Sequence, residues 1–530
     1  MSNRIYNVYF NLHTVSGIVI TVGLFVIFFA GAFTLFLKEV EGWEHSTERY
    51  VPMPSSPSGS SLDLDRLIRV VEGTGYDLYG RDVYLDLRTS GVLQPFYLSA
   101  SEDTLATGDA KEYKNLLLNR ETYALSERPK NSSATLSGLL YELHFFYQLG
   151  EPGYYLSGLV SLFFLFAMVS GIVVHWKKIV SNFYRFRPFE KMKTVWTDAH
   201  TALGTIGIPF QFMYALTGTF FGLSILVSTS GALLYGGDQS KYYGTLYERH
   251  GEVPGPRITL ADYRLNALLD SAAATWPGFN LNYISLHKTA SATMELSIYG
   301  EVSSKSGFFN FGEVEFDVAS GRVKNKQDPY KKDYAEMVSA SIHRLHFGYF
   351  GLENWQHLAV KVLYFLMALA TCFVIITGVL IWLEARNKKS ISEKERKFNQ
   401  ALGHSYLALC LSMLPVTALS FLVVKLLPDG LEEYRAVILN LVFFGGWLLT
   451  SIFFWSKKNN YVTNAYTLLL SGVFGLCIPI ANGLKTGNWF WFAFTDAPYT
   501  LFVVDLLWVI IAALCLLIVY QLKPQRSFTA

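Results

Sequence analysis

Residues 143–178 read LHFFYQLGEPGYYLSGLVSLFFLFAMVSGIVVHWKK, and they determine how the rest of the chain is interpreted. In this stretch His144 precedes an apolar run of membrane length, and His175 lies at the far end of the run. A partial copy begins at Leu345 and reads LHFGYFGLENWQHLAVKVLYFLMALATCFVIITGVLIWLEARNKK. Each copy contains Leu-His-Phe, an aromatic residue with glycine, an apolar run with a glycine near its end, and then tryptophan and basic residues. The recurrence indicates an internal duplication.

The composition is typical of an integral membrane protein. Apolar residues occupy 51% of the 530 positions, and the formal net charge is only +2, so no basic field favours nucleic acid. The 32 tyrosines and 40 phenylalanines suit the aromatic belts of membrane interfaces. A disulfide framework is excluded in the polar segments because all the cysteines lie in apolar runs: Cys372, Cys410, Cys477 and Cys515.

The apolar runs predict an all-α polytopic membrane protein with about eight transmembrane helices, because each run can cross a hydrocarbon core of about 30 Å. Basic connections between the runs place both termini in the cytoplasm, and two polar segments then form periplasmic α+β domains. The predicted order is a first helix at 1–37, an outer domain at 38–142, a histidine segment with the second helix at 143–178, a cytoplasmic loop at 179–199, a third helix at 200–230, a second outer domain at 231–342, a histidine segment with the fourth helix at 343–385, a cytoplasmic loop at 386–401, and a four-helix extension at 402–530.

Local patterns assign elements within this frame. Pro209 predicts a kink in the third helix. A short amphipathic helix is expected at Leu62–Gly73 and a further helix at Ile258–Thr275. Alternation of apolar and polar residues predicts strands at Val83–Leu87, Pro95–Ala100, Tyr283–His287, Thr293–Tyr299 and Glu313–Asp317. The two outer domains therefore have similar element orders, as a duplication requires.

Histidines are the residues of the apolar segments that most clearly indicate chemistry. An ionisable side chain at a membrane helix is a functional hypothesis by default, and neutral imidazole is a common axial ligand of haem iron. Haem b needs no C-x-x-C-H motif, and the sequence has none. The predicted topology places His13, His175, His200 and His404 at cytoplasmic helix ends, and His144, His343, His346 and His357 at the outer face.

The outer histidines include one repeat-equivalent pair, His144 and His346. A two-fold arrangement of the two Leu-His-Phe segments would direct both imidazoles at one iron. The competing interpretation is a pair of structural histidines in an aromatic belt. His343 ranks lower as a ligand because the matching residue of the first copy is Tyr141.

The inner histidines leave two alternatives open. His13 and His200 open the first and third helices and are repeat-equivalent, so they form one candidate pair. His175 lies at the same depth and could pair with either of them, and the remaining histidine would then serve a haem propionate, a quinone or a proton. His404 opens the fifth helix in a similar sequence, but no outer domain follows it, so it ranks lower as a ligand.

Several short motifs together resemble the PepSY-associated transmembrane family over about residues 5–390. They are HTVSG from His13, the Leu-His-Phe segments at His144 and His346, HWKK at His175–Lys178, and DAHTALG at Asp198–Gly204. The resemblance implies that the outer domains are PepSY-like. The family includes iron-regulated inner-membrane proteins similar to dihaem ferric-siderophore reductases, which implies two b haems, one near each face of the membrane.

We therefore expect a haem-dependent ferric-chelate reductase of the bacterial inner membrane. Its substrate would be a ferric siderophore or another ferric chelate at the periplasmic face, and its electron donor quinol or a redox protein. No Rossmann fingerprint supports direct hydride transfer from NAD(P)H. The alternatives are a PepSY-type regulatory protein that binds a peptide or peptidase, and a transporter subunit. No catalytic residue is assigned, and the predicted metal ligands are His13, His144, His175, His200 and His346.

Overall fold

Apolar helices and one antiparallel sheet divide between two units of the chain. The helical unit comprises residues 1–52, 131–225 and 358–530, and the sheet unit comprises residues 53–130 and 226–357. The computed structural model describes residues 2–46, 62–87, 93–120, 122–127, 135–187, 189–224, 254–260, 263–302, 308–332, 334–350, 354–491 and 502–522.

The elements are as follows. The helices, in chain order, are α1 Asn3–Thr34, α2 Leu37–His45, α3 Leu64–Gly73, α4 Leu136–His144, α5 Glu151–His175, α6 Ile179–Phe183, α7 Met192–Ile206, α8 Ile208–Gly222, α9 Leu265–Ala273, α10 Tyr334–Phe347, α11 Asn354–Arg386, α12 Glu393–Leu426, α13 Arg435–Asn440, α14 Gly446–Lys457, α15 Asn460–Thr486 and α16 Val503–Gln521. The strands are β1 Val83–Asp86, β2 Leu93–Leu98, β3 Lys114–Asn119, β4 Leu125–Glu127, β5 Asn280–His287, β6 Glu295–Glu301, β7 Phe311–Asp317 and β8 Arg322–Gln327.

Among the described residues, seven helical segments are long and apolar enough to span a membrane, so the protein is a multi-pass membrane protein. The predicted third span is two consecutive helices, α7 and α8, which meet at Gly207. Pro209 lies in the first turn of α8, where its missing N–H costs no hydrogen bond, so the break falls where the proline predicts a kink. Residues 225–230 of that predicted span lie outside the described part of the chain.

The second half of helix α1, from Ser16 to Phe33, is buried in the helical unit. Phe33 is 2% exposed, and its ring centre lies 5.8 Å from that of Phe365 on α11. The same ring lies 6.3 Å from Phe421 on α12 and stacks on Trp508 of α16 at 5.7 Å. One phenylalanine of α1 therefore packs against both the duplicated helices and the C-terminal extension.

The sheet unit contains one eight-stranded sheet, in the order β4-β3-β2-β1-β5-β6-β7-β8. Each predicted outer domain contributes four strands, and β1 pairs with β5 antiparallel at the junction, with Val83 opposite Leu286. Pairing at this junction satisfies the backbone groups that two separate sheets would each leave at an open edge.

The helices on the sheet have a reciprocal contact that reflects the duplication. The backbone N–H of Leu64 donates to Asn266 Oδ1, and the backbone N–H of Leu265 donates to Asp65 Oδ1, both at 2.7 Å. Each side chain satisfies an N–H at the start of the other helix, α3 or α9, where no intrahelical partner exists. The two halves of the sheet unit are thus related by a local two-fold arrangement.

Candidate functional site

The structure brings two of the predicted histidines of the helical unit together. His13 on α1 and His200 on α7 have ring centres 6.2 Å apart, with an angle of 71° between the ring planes. The residues are repeat-equivalent and lie 187 positions apart in the chain. The contact therefore joins equivalent points of the two copies.

Each of these imidazoles is held by a backbone carbonyl of another helix. His13 Nδ1 lies 2.7 Å from the carbonyl oxygen of Ala167 on α5, and His200 Nδ1 lies 2.9 Å from that of Val374 on α11. A carbonyl oxygen can only accept, so Nδ1 carries the proton and donates it. In a neutral imidazole the other nitrogen, Nε2, is then unprotonated and can bind a metal.

A glycine lies one helical turn beyond each of these carbonyls. A Cβ added at Gly171 would lie 3.0 Å from His13 Cε1, and one added at Gly378 would lie 3.3 Å from His200 Cε1. Residues four apart lie on the same face of a helix, so the carbonyl and the glycine contact the same ring. The bare backbone of the glycine lets the imidazole lie flat against the neighbouring helix.

His144 has the same type of environment, on the short helix α4. Its Nδ1 donates to the carbonyl oxygen of Ile27 on α1 at 2.8 Å. Gly31 again follows the carbonyl by four residues, and a Cβ added there would lie 2.7 Å from both Cε1 and Nδ1 of His144. Three histidines of the helical unit therefore share one local arrangement.

The His13–His200 geometry fits a metal held between two imidazoles. An imidazole nitrogen binds a transition metal at about 2 Å and the ring centre lies roughly 1 Å behind it, so two opposed ligands have centres roughly 6 Å apart. The observed separation of 6.2 Å agrees with this value. The hydrogen bonds at Nδ1 supply the second partner that metal-binding histidines almost always have.

His346 and His343 lie on α10 of the sheet unit, whereas His144 lies in the helical unit. His343 Nδ1 donates to the carbonyl oxygen of Ser339 in its own helix at 2.9 Å. Arg344, between the two histidines, donates to Asn310 Oδ1 at 2.8 Å and thereby connects α10 to the residue that precedes β7. The pairing of His144 with His346 stays a prediction.

The other predicted histidines have different surroundings. His175 is the last residue of α5. His404 lies on α12, and its Nδ1 is 2.6 Å from Asn460 Oδ1 on α15. His404 is therefore tied into the C-terminal extension by a side-chain amide.

Aromatic side chains connect the surroundings of His13 and His144. Phe28 follows Ile27, whose carbonyl binds His144, and Phe164 precedes Ala167, whose carbonyl binds His13. The rings of Phe28 and Phe164 meet edge to face at 5.5 Å. Further rings enlarge this aromatic cluster, namely Phe210, Tyr214 and Tyr364.

These features define a multi-pass membrane protein with imidazoles held against bare helix backbone. The chain belongs to the PepSY-associated TM region family, whose model matches residues 10–385. The match includes all five predicted ligand histidines and ends before α12. An uncharacterized protein of Pseudomonas aeruginosa is 23% identical over 299 residues, which cover 55% of this chain and 73% of the relative.

The sequence showed the glycines of the apolar runs but not their partners. A small or hydroxyl residue precedes each glycine that contacts a histidine, at Ala30-Gly31, Ser170-Gly171 and Thr377-Gly378, and it also precedes the repeat-equivalent Gly218. The pattern alone does not identify these glycines, because Ser16-Gly17 and Ser157-Gly158 share it and neither glycine faces a histidine. A Cβ added at Gly218 would instead lie 2.8 Å from Ser161 Oγ on α5.

Proposed function

We propose that this protein transfers electrons from quinol or a redox protein across the bacterial inner membrane through two bound b-type haems. At the periplasmic face, each electron would reduce the Fe(III) of a ferric siderophore or another ferric chelate to Fe(II). Reduction to Fe(II) weakens binding by ligands that select Fe(III) and so releases iron for uptake. The observation that carries the proposal is the His13–His200 pair. The two ring centres lie 6.2 Å apart, and each Nδ1–H donates a hydrogen bond to a backbone carbonyl oxygen.

His13 and His200 would hold the inner haem, near the cytoplasmic ends of their helices. They are favoured over a pair that includes His175 because they have equivalent tethers on equivalent helices. His175 would then lie beside this haem, where it can serve a propionate, a quinone or a proton. The basic residues that follow α5, including Lys177 and Arg187, support the cytoplasmic assignment of this end.

His144 would hold the outer haem, with His346 as the repeat-equivalent second ligand. His144 is supported because its surroundings match those of the inner pair. Its Nδ1–H donates to a backbone carbonyl oxygen, and a glycine lies one helical turn beyond that carbonyl. The support for His346 is its position in the second Leu-His-Phe segment. With this assignment the sheet unit lies in the periplasm, where the ferric chelate would bind.

The protein's own contribution is orientation and exclusion of water. The carbonyl tethers fix which nitrogen of each imidazole faces the metal, and they limit rotation of the rings. Buried aromatic side chains such as Phe28 and Phe210 would exclude water from the region between His144 and the His13–His200 pair. Bound haem supplies reversible one-electron chemistry, at a potential that ligation and burial set. No acid or base is required for this reaction.

The test uses the purified full-length protein, expressed with ample haem. We expect a b-type absorption spectrum and about two haems per chain in a pyridine haemochrome assay. In proteoliposomes, the reduced protein should be reoxidised by ferric siderophores, with Fe(II) trapped by a chromogenic chelator. A colourless protein would refute the proposal, and a haem protein that no ferric chelate reoxidises would refute the assignment of the substrate.

A further inference from the structure

Buried charged residues of the C-terminal extension converge on the short helix α2. Lys425 of α12 donates to the carbonyl oxygens of Trp43 at 2.6 Å and Ser46 at 2.9 Å. Asp505 of α16 accepts from the indole N–H of Trp43 at 2.8 Å. Arg435 of α13 donates to Glu44 Oε1 at 2.6 Å. Three different helices of the extension thus bind the end of α2.

Burial on this scale suggests a role beyond ordinary helix packing. Lys425, Arg435 and Asp505 are 4%, 5% and 0% exposed. Burying an ionisable side chain within a membrane protein costs free energy. A buried ion pair often stabilises a fold less than well-packed apolar residues of similar volume would. What such contacts provide is a defined position, because each hydrogen bond fixes both distance and direction.

Glu44 transmits this position to the helix that carries His144. Its Oε1 and Oε2 accept from the backbone N–H of Leu136, at 3.1 and 3.0 Å. Leu136 is the first residue of α4, where the N–H groups have no intrahelical partner and a carboxylate is favoured. His144 is the last residue of the same helix. The path from Arg435 to α4 therefore consists of hydrogen bonds through one carboxylate.

Helix α4 needs such support because it has only nine residues. An isolated helix of that length is marginal in water, so α4 depends on its contacts, which include four leucines packed in the core of the helical unit. His13 and His200 lie in longer helices. Thr135, the N-cap residue of α4, also stabilises the start of the helix, because its Oγ1 accepts from the backbone N–H of Gly138 at 2.9 Å.

We propose that the extension, α12–α16, is a clamp that positions His144 through α2 and α4, with Arg435 and Glu44 as positioning residues. The expected effect on the outer haem rests on the proposed function. The expected effect on the stability of α4 does not depend on haem. The extension lies beyond residues 10–385, which the family model matches, and the clamp would give it a role at the outer haem site.

The haem arm of the test uses Arg435→Met and Glu44→Gln in the full-length protein. Each variant should shift the midpoint potential and electron paramagnetic resonance signal of the outer haem, and should weaken its retention roughly 10–100-fold, as loss of groups that orient metal ligands does. The inner haem should be unaffected. Arg435→Lys, which keeps the charge, should restore part of the wild-type behaviour.

The matched control is Lys361→Met. Lys361 of α11 donates to Glu39 Oε1 of α2 at 2.6 Å, so this variant also breaks a buried ion pair on α2. Within the described part of the chain, the other oxygen of Glu39 has no hydrogen-bond partner, so this carboxylate does not hold α4. Equal effects of Lys361→Met and Arg435→Met, or equal effects on both haems, would overturn the clamp because general destabilisation would explain them.

Hydrogen exchange measured by mass spectrometry tests the clamp without haem. Peptides that cover residues 135–145 should exchange faster in Arg435→Met and Glu44→Gln than in the wild type or in Lys361→Met. If the protein binds no haem but α4 still loosens in this way, the proposed function fails while the clamp stands. Unchanged exchange in α4 would overturn the clamp whether or not haem is bound.

Discussion

The surroundings of the His13–His200 pair and of His144 differ in what holds them in place. His13 and His200 are held by equivalent parts of the two copies, Ala167 with Gly171 and Val374 with Gly378. His144 uses the same ring contacts, but its helix is short and begins at a carboxylate that the C-terminal extension binds. The surroundings of His13 and His200 thus come from equivalent helices of the two copies, whereas the helix of His144 also has a hydrogen-bonded link to chain that was not duplicated.

The largest effect that would test this comparison is the loss of a ligand. His13→Ala and His200→Ala should each remove about one of two haems per chain, because each deletes one of two axial ligands. His144→Ala should remove the other haem and leave the inner spectrum intact. Absorption spectra and haem content check both results.

His404→Ala is the matched control for these variants. It removes a histidine whose Nδ1 lies 2.6 Å from Asn460 Oδ1 in the extension, so both haems should remain. Loss of a haem from His404→Ala, or retention of both haems in His13→Ala, would contradict the assignment of the inner site.

An intermediate effect is expected from filling the space beside His144. In Gly31→Ala the new Cβ would lie 2.7 Å from two atoms of the imidazole, so the ring must move, at a cost of about 1–3 kcal/mol. The outer haem should bind more weakly and its potential should shift, as redox titration would measure.

Gly17→Ala provides the control on the same helix, α1. A Cβ at Gly17 meets no atom within 4 Å, so this substitution should leave both potentials unchanged. If Gly17→Ala and Gly31→Ala behaved alike, the contact with His144 would not be the cause.

The smallest effect concerns hydroxyl groups that share the accepting carbonyls. Thr377 Oγ1 donates to the Val374 carbonyl oxygen at 2.9 Å, and Ser170 Oγ donates to that of Ala167 at 3.0 Å. In Thr377→Val and Ser170→Ala the histidine should bind the carbonyl without competition, a change of about 0.5–1.5 kcal/mol. Both variants should shift the inner potential slightly and in the same direction, since their sites are repeat-equivalent. Opposite shifts would show that the two halves of the inner site are not equivalent.

Local elements were predicted well where one physical property decides them. The strand predicted at Val83–Leu87 is β1, Val83–Asp86, and the strand predicted at Glu313–Asp317 lies within β7, Phe311–Asp317. Strand β3, Lys114–Asn119, was not predicted because three consecutive leucines hide the alternation. The junction between β1 and β5 could not be predicted either, since edge pairing depends on how two distant segments meet.

The sequence by itself determined the apolar spans, the duplication and the family, because hydropathy and spacing are local properties of the chain. The tertiary structure alone decided which groups meet. His13 finds its carbonyl 154 residues away, His200 finds its own 174 residues away, and Arg435 reaches a carboxylate 391 residues away. Such contacts depend on how helices cross and rotate about their axes, which no local pattern encodes.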